Sequence, residues 1–178
     1  MSQVLNNVNV EAVKATIARL KNDSSSRKTK QVLSGEWNID SSKPQFVAWL
    51  KTEREPMIKV ESDQSIAQGG KGLAPNPIHY CLYGIASCFA ATLATTAALE
   101  QIIIKKLKVD VSADINSSRI FGLSEEPIIE RVSLLIDLEL ENGGQEQARR
   151  LIDLAEARCP AAYTLTHGTK LEVWLSQH

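Results

Sequence analysis

Hydrophobic and polar positions alternate along this chain with two different periods, and the changes of period mark its elements. Near the start, Val10, Val13, Ile17 and Leu20 recur at helical spacing behind Asn9, a residue suited to capping a helix. Residues 22–30 are polar, with three consecutive serines, and read as a linker. Two segments, 31–39 and 45–52, have the composition of strands and flank the turn residues 40–44; a third, 57–60, follows the break at Pro56. Further on, Leu107, Val109, Val111, Ala113 and Ile115 alternate with Lys108, Asp110, Ser112 and Asp114. Val132, Leu134, Ile136, Leu138 and Leu140 repeat that period-two pattern, with only Leu135 apolar on the other side. After the turn Asn142-Gly143-Gly144, a helical stripe of Ala148, Leu151, Ile152 and Ala155 continues to Cys159. Leu171, Val173 and Leu175 suggest a last strand.

Between these patterns lies a stretch of another character, Asn76 to about Ile104. Asn76-Pro77 predicts a helix start, since the Asn side chain caps free N–H groups and Pro fits the first helical position. From Pro77 to Leu99 there is no Lys, Arg, Asp or Glu. A helix apolar all round is buried or spans a membrane. Its richness in Ala, Thr, Ser and Cys, and the half-buried strands on either side that need covering, favour a buried helix. Small residues recur along one side at Gly84, Ser87, Cys88, Ala91, Ala94, Thr95 and Ala98, which lets another backbone come close. The expected architecture is α+β: antiparallel strands against a long central helix and a second helix. It divides into an N-terminal helical arm and linker, 1–25, and a main domain, 26–178.

Composition narrows the possible functions. A chain of 178 residues buries a core without needing disulfides or metals. A net charge of −1 with interspersed signs argues against nucleic acid or a membrane surface as partner. Three cysteines at wide spacing do not make a secreted disulfide framework, and the first residues do not resemble a signal peptide. The expected compartment is cytoplasmic. Gln68-Gly69-Gly70-Lys71-Gly72 looks like a phosphate loop only at first sight. Lys71 is followed by Gly72-Leu73-Ala74-Pro75, not by Ser or Thr at a helix start, so the segment reads as a hinge-like loop.

The candidate chemistry lies in the thiols. Cys81 and Cys88 are seven residues apart, ~10 Å along a helix axis, too far to bridge while the helix is intact. Cys81 is read as a small core residue. Cys88 and Cys159 each fall on the buried face of a helix that should cover the same strands, and facing helices ~8–10 Å apart make a bridge feasible. Spacing alone favours two ordinary core cysteines.

From Gly69 onward the chain resembles the OsmC/Ohr family, the osmotically inducible protein C and organic hydroperoxide resistance proteins. The residues that carry the resemblance are Gly69-Gly70, Asn76-Pro77, Ile85-Ala86-Ser87-Cys88 eleven residues after Pro77, and Cys159-Pro160. The resemblance implies an intertwined homodimer with its active site at the subunit interface. It also implies reduction of organic hydroperoxides by two thiols, with no metal or cofactor. Cys88 matches the attacking cysteine and Cys159 the resolving one, with an external dithiol as reductant.

The sequence departs from that pattern where the family places a glutamate after the proline to orient an arginine over the thiol. Here that position is Ile78, followed by His79. Arg54, between Glu53 and Glu55, is the nearest candidate arginine, and His79 is a second possible charge. Nine helical residues put His79 opposite Cys88 within one chain, so it would act on the partner subunit. The alternative function is a redox-inactive member of the family that binds a small hydrophobic ligand at the dimer interface.

Overall fold

The structure is a computed structural model that describes residues 3–54 and 56–176. In chain order it forms β1 (Val4–Leu5), β2 (Val8–Asn9), α1 (Val10–Asn22), β3 (Gly35–Trp37), β4 (Phe46–Leu50) and β5 (Ile58–Ser62). There follow α2 (Pro77–Leu99), β6 (Ile104–Ile115), β7 (Ile129–Leu140), α3 (Gln145–Arg158) and α4 (Pro160–Thr166). The sheets are all antiparallel: β1-β2, β3-β4-β5 and β6-β7. The fold is α+β. The chain divides into two compact units, Met1–Ala15 with Gly84–His178, and Thr16–Tyr83.

In the first unit the β6-β7 hairpin pairs apolar with apolar: Leu107 with Leu138, Val109 with Ile136, Val111 with Leu134, Ala113 with Val132. These residues are half-buried while Lys108, Asp110 and Leu135 point away and are exposed, as the period-two pattern predicts. The covered face packs on Phe89 and Leu93 of α2 and on Ala155 and Cys159 at the end of α3. A second cluster joins Ala97, Ile102, Leu140 and Leu151. Leu93, Ala97, Leu151 and Ala155 are fully buried, so the predicted stripe of α3 is the packed one.

α2 begins as expected. Asn76 Oδ1 accepts from the Ile78 N–H at 2.8 Å, and Pro77 opens the helix. At its other end Gln101 takes a left-handed φ of 59°. The Ile102 N–H reaches Ala97 O and the Gln101 N–H reaches Ala98 O, the two reversed bonds that close a helix. Burial is one-sided. Phe89, Leu93, Thr96, Ala97 and Ala98 are buried, whereas Gly84, Ser87 and Ala91 of the small-residue side are exposed in this chain. α2 is long and apolar enough to cross a bilayer by length and composition. The way Phe89 and Leu93 pack under the hairpin makes it a core helix instead.

Two features at the ends of this unit differ from the sequence reading. Before α1 there is a tight hairpin whose turn residues Asn6 and Asn7 have φ of 52° and 60°, the geometry of a two-residue turn that asparagine tolerates. Asn6 donates to Ile102 O at 2.8 Å and accepts from the Ile104 N–H at 2.9 Å, pinning the hairpin to the end of α2 and the start of β6. Asn9 then caps α1 through the Ala12 N–H at 3.1 Å. At the other end, 171–175 forms no strand. Its apolar residues are exposed, because a strand needs a hydrogen-bonded neighbour and none is offered among the described residues.

In the second unit all three predicted strands form, with shifted bounds and a register of Phe46 to Ser62 through Leu50 to Ile58. The glycine segment is not a loose hinge. The Gly70 N–H bonds Ser65 O at 3.0 Å, and a Cβ on Gly70 would lie 1.9 Å from Gln64 O, so only glycine fits there. Lys71 and Leu73 donate their N–H groups to Asp63 Oδ2 at 3.2 and 3.0 Å, fastening the loop to the end of β5.

Candidate active site

Cys88 lies on the face of α2 that meets α3 and α4, and Cys159 is the residue between those two helices. The Cys159 N–H closes α3 on Ala155 O, and Pro160 then starts α4. Both thiols belong to one core cluster with Phe89, Leu93 and Ala155. Cys159 has no exposure, whereas Cys88 is part-exposed. All three cysteines are free thiols. Each of the pair is where helical periodicity put it. Cys81, expected in the core, is instead exposed, because α2 buries no residue before Phe89.

Electrostatics around Cys88 favour the thiol over the thiolate. Burial is the largest influence and raises its pKa; a hydrogen bond with the Cys159 thiol raises it further. Against these stands one backbone donor, the Ala161 N–H in the first turn of α4, which lowers it. No cationic group of the described residues acts on Cys88. Arg54, in a bend between β4 and β5, and His79, in the first turn of α2, are both exposed and both lie in the other unit.

Beside Cys159 is a cavity of about 600 Å³ with that residue in its wall. Phe89, Leu134, Ile136 and Ile152 make its apolar part. Arg131 and Arg149 stand in the same wall, each with a carboxylate partner, Asp114 at 3.8 Å and Asp153 at 2.9 Å. The sequence reading missed Ala161 and this wall. A signal was present on α3, where Arg149, Ile152, Glu156 and Cys159 recur at helical spacing. Ala161 left none, because a backbone N–H carries no side-chain signature.

The family model for OsmC-like proteins matches residues 69–173, more than half of the chain. The chain belongs to the OsmC-like family. Solved structures agree on the fold. An OsmC-like protein of Mycoplasma pneumoniae is 21% identical over 79% of this chain and 90% of its own, with a TM-score of 0.60. An organic hydroperoxide resistance protein from Legionella pneumophila is 16% identical over 79% and 93%, with a TM-score of 0.56. Another from Elizabethkingia anophelis is 19% identical over 79% and 91%, with a TM-score of 0.52. Among curated proteins no sequence matches. The matched range of this OsmC-like protein includes Ile78, Cys88 and Cys159.

Proposed function

We propose that this OsmC-like protein reduces organic hydroperoxides with Cys88 as the attacking thiol and Cys159 as the resolving one. The observation that carries the reading is the pair itself: a part-exposed Cys88 packed against the core cluster that holds the fully buried Cys159. Family membership supports it, as do the names of the Legionella and Elizabethkingia proteins that share the fold. The apolar part of the cavity beside Cys159 suits the alkyl or aryl tail of a hydroperoxide.

The Cys88 thiolate attacks the terminal peroxide oxygen, the O–O bond breaks, and the alkoxide takes a proton and leaves as alcohol. Cys88 is then a sulfenic acid. The Cys159 sulfur attacks it, water leaves, and a disulfide forms, which an external dithiol returns to two thiols. No metal or cofactor enters the scheme. The first step needs a cation near Cys88, and none of the described residues supplies one there. A homodimer provides one, with Arg54 or His79 contributed by the second copy.

One observation favours a second reading, a redox-inactive protein holding a small hydrophobic ligand: the raised pKa of Cys88 together with Ile78. Cumene hydroperoxide consumption with a dithiol separates the two. On the peroxidase reading, Cys88→Ser loses roughly 10³-fold or more of the rate, the scale on which loss of a nucleophile acts. With the dithiol left out, Cys159→Ser consumes one equivalent and ends with Cys88 as sulfenic acid, where the wild type ends with a disulfide. Consumption no faster than the protein-free background in the wild type and both variants leaves the binding reading.

A further inference from the structure

Once a disulfide joins Cys88 and Cys159, its two sulfurs are not equivalent to an incoming thiol. Cys159 is 0% exposed and belongs to the buried core with Phe89, Leu93 and Ala155. It borders the cavity of about 600 Å³ without giving any surface to it. The backbone holds it there from both sides. Its N–H bonds Ala155 O at 2.8 Å at the end of α3, and its carbonyl accepts from the Tyr163 N–H at 2.9 Å in α4. A residue tied into two helices is not free to swing outward. Cys88 packs at the margin of the same cluster and is part-exposed. A second copy packed on this structure only removes surface, so it does not expose Cys159. Thiol–disulfide exchange depends on which sulfur is within reach, because the attacking thiolate lines up with the S–S bond behind the sulfur it strikes.

We propose that the external reductant strikes Cys88 and that Cys159 is the leaving group, so the cycle passes through a mixed disulfide on Cys88. This rests on the peroxidase reading and adds to it the point where the dithiol enters. The first reductant sulfur bonds the Cys88 sulfur, the bond to Cys159 breaks, and the proton of the incoming thiol ends on Cys159. The second thiol of the same reductant then bonds the first reductant sulfur. The mixed disulfide breaks, and Cys88 is released with that thiol's proton. Both electrons come from the dithiol, which leaves as its own disulfide. Peroxide and reductant thus meet the protein at one sulfur, and Cys159 touches neither.

Mercaptoethanol, a monothiol, has no second sulfur to complete the cycle and so marks the sulfur it strikes. Cys81→Ser removes the exposed third thiol, which would otherwise exchange with the adduct. This full-length variant is oxidised with cumene hydroperoxide until both remaining thiols are lost, then mixed with mercaptoethanol. It is quenched in acid within seconds and digested for mass spectrometry. The adduct is expected on Cys88, at least about tenfold over Cys159. Because Cys159 can attack the adduct and restore the disulfide, a second measurement avoids the need for accumulation. Cys88 or Cys159 is left as the sole thiol, with Ser at the other two positions, and titrated with an aromatic disulfide. Cys159 should react at least about tenfold more slowly until denaturant is added. An adduct mainly or equally on Cys159, or equal titration rates in the folded variants, overturns the proposal. Survival of both thiols after hydroperoxide would instead remove the peroxidase reading, and this inference with it.

Discussion

Burial and a neighbouring thiol act on Cys88 in the same direction, and only the Ala161 N–H opposes them. The thiolate of this chain should therefore form above the ordinary cysteine range near ~8.5. Peroxide consumption and Cys88 alkylation should both climb from pH 7 through pH 9, about tenfold per unit while the thiol remains the main form. A rate plateau reached below pH 7 would mean that a cation from outside the chain controls this sulfur. The same shift sets a sign for stability. A thiol whose folded pKa is raised contributes stability that is present below its unfolded pKa and is lost as pH climbs through the folded one. At this scale helical periodicity made a meeting of Cys88 and Cys159 feasible, and both pack in one core cluster. It did not reveal that Cys81 is exposed or that Asp63 is buried, since either depends on what packs from elsewhere.

Among the elements, those with long, clean patterns formed as read: β6, β7 and α3 follow their alternation, and α2 spans the charge-free run. Short elements were less legible. β3 keeps only three residues of the expected segment, because a strand extends only as far as its neighbour hydrogen-bonds it. The hairpin before α1 was hidden because each of its strands is two residues long, too short for any period to register. The cap of α2 allows a direct check. Asn76→Ala removes the acceptor for the Ile78 N–H and the 3.1 Å bond from Asn76 Nδ2 to Gln64 Oε1. It should cost about 1 kcal/mol, within a range of ~0.5–2, read as a lower urea midpoint at unchanged slope.

For the whole molecule, the chain shows apolar surface that it does not cover itself. Gly84, Ser87 and Ala91 line an exposed side of α2, and Leu171, Val173, Trp174 and Leu175 alternate or cluster in an exposed, unpaired segment. On the proposed homodimer both are covered by the second copy. Sedimentation should then give twice the chain mass, and deletion of 169–178 should shift the protein toward monomer. A wild-type monomer at micromolar concentration would remove the dimer and, with it, the source of the missing cation. The sequence by itself determined the α+β order and the inward faces of β6, β7 and α3, because periodicity is a property of neighbours along the chain. Tertiary structure alone decided which sides of α2 are covered, which carboxylate is walled in, and what surrounds the attacking sulfur. Burial and local field are set by groups distant in sequence, and no repeat within the chain records them.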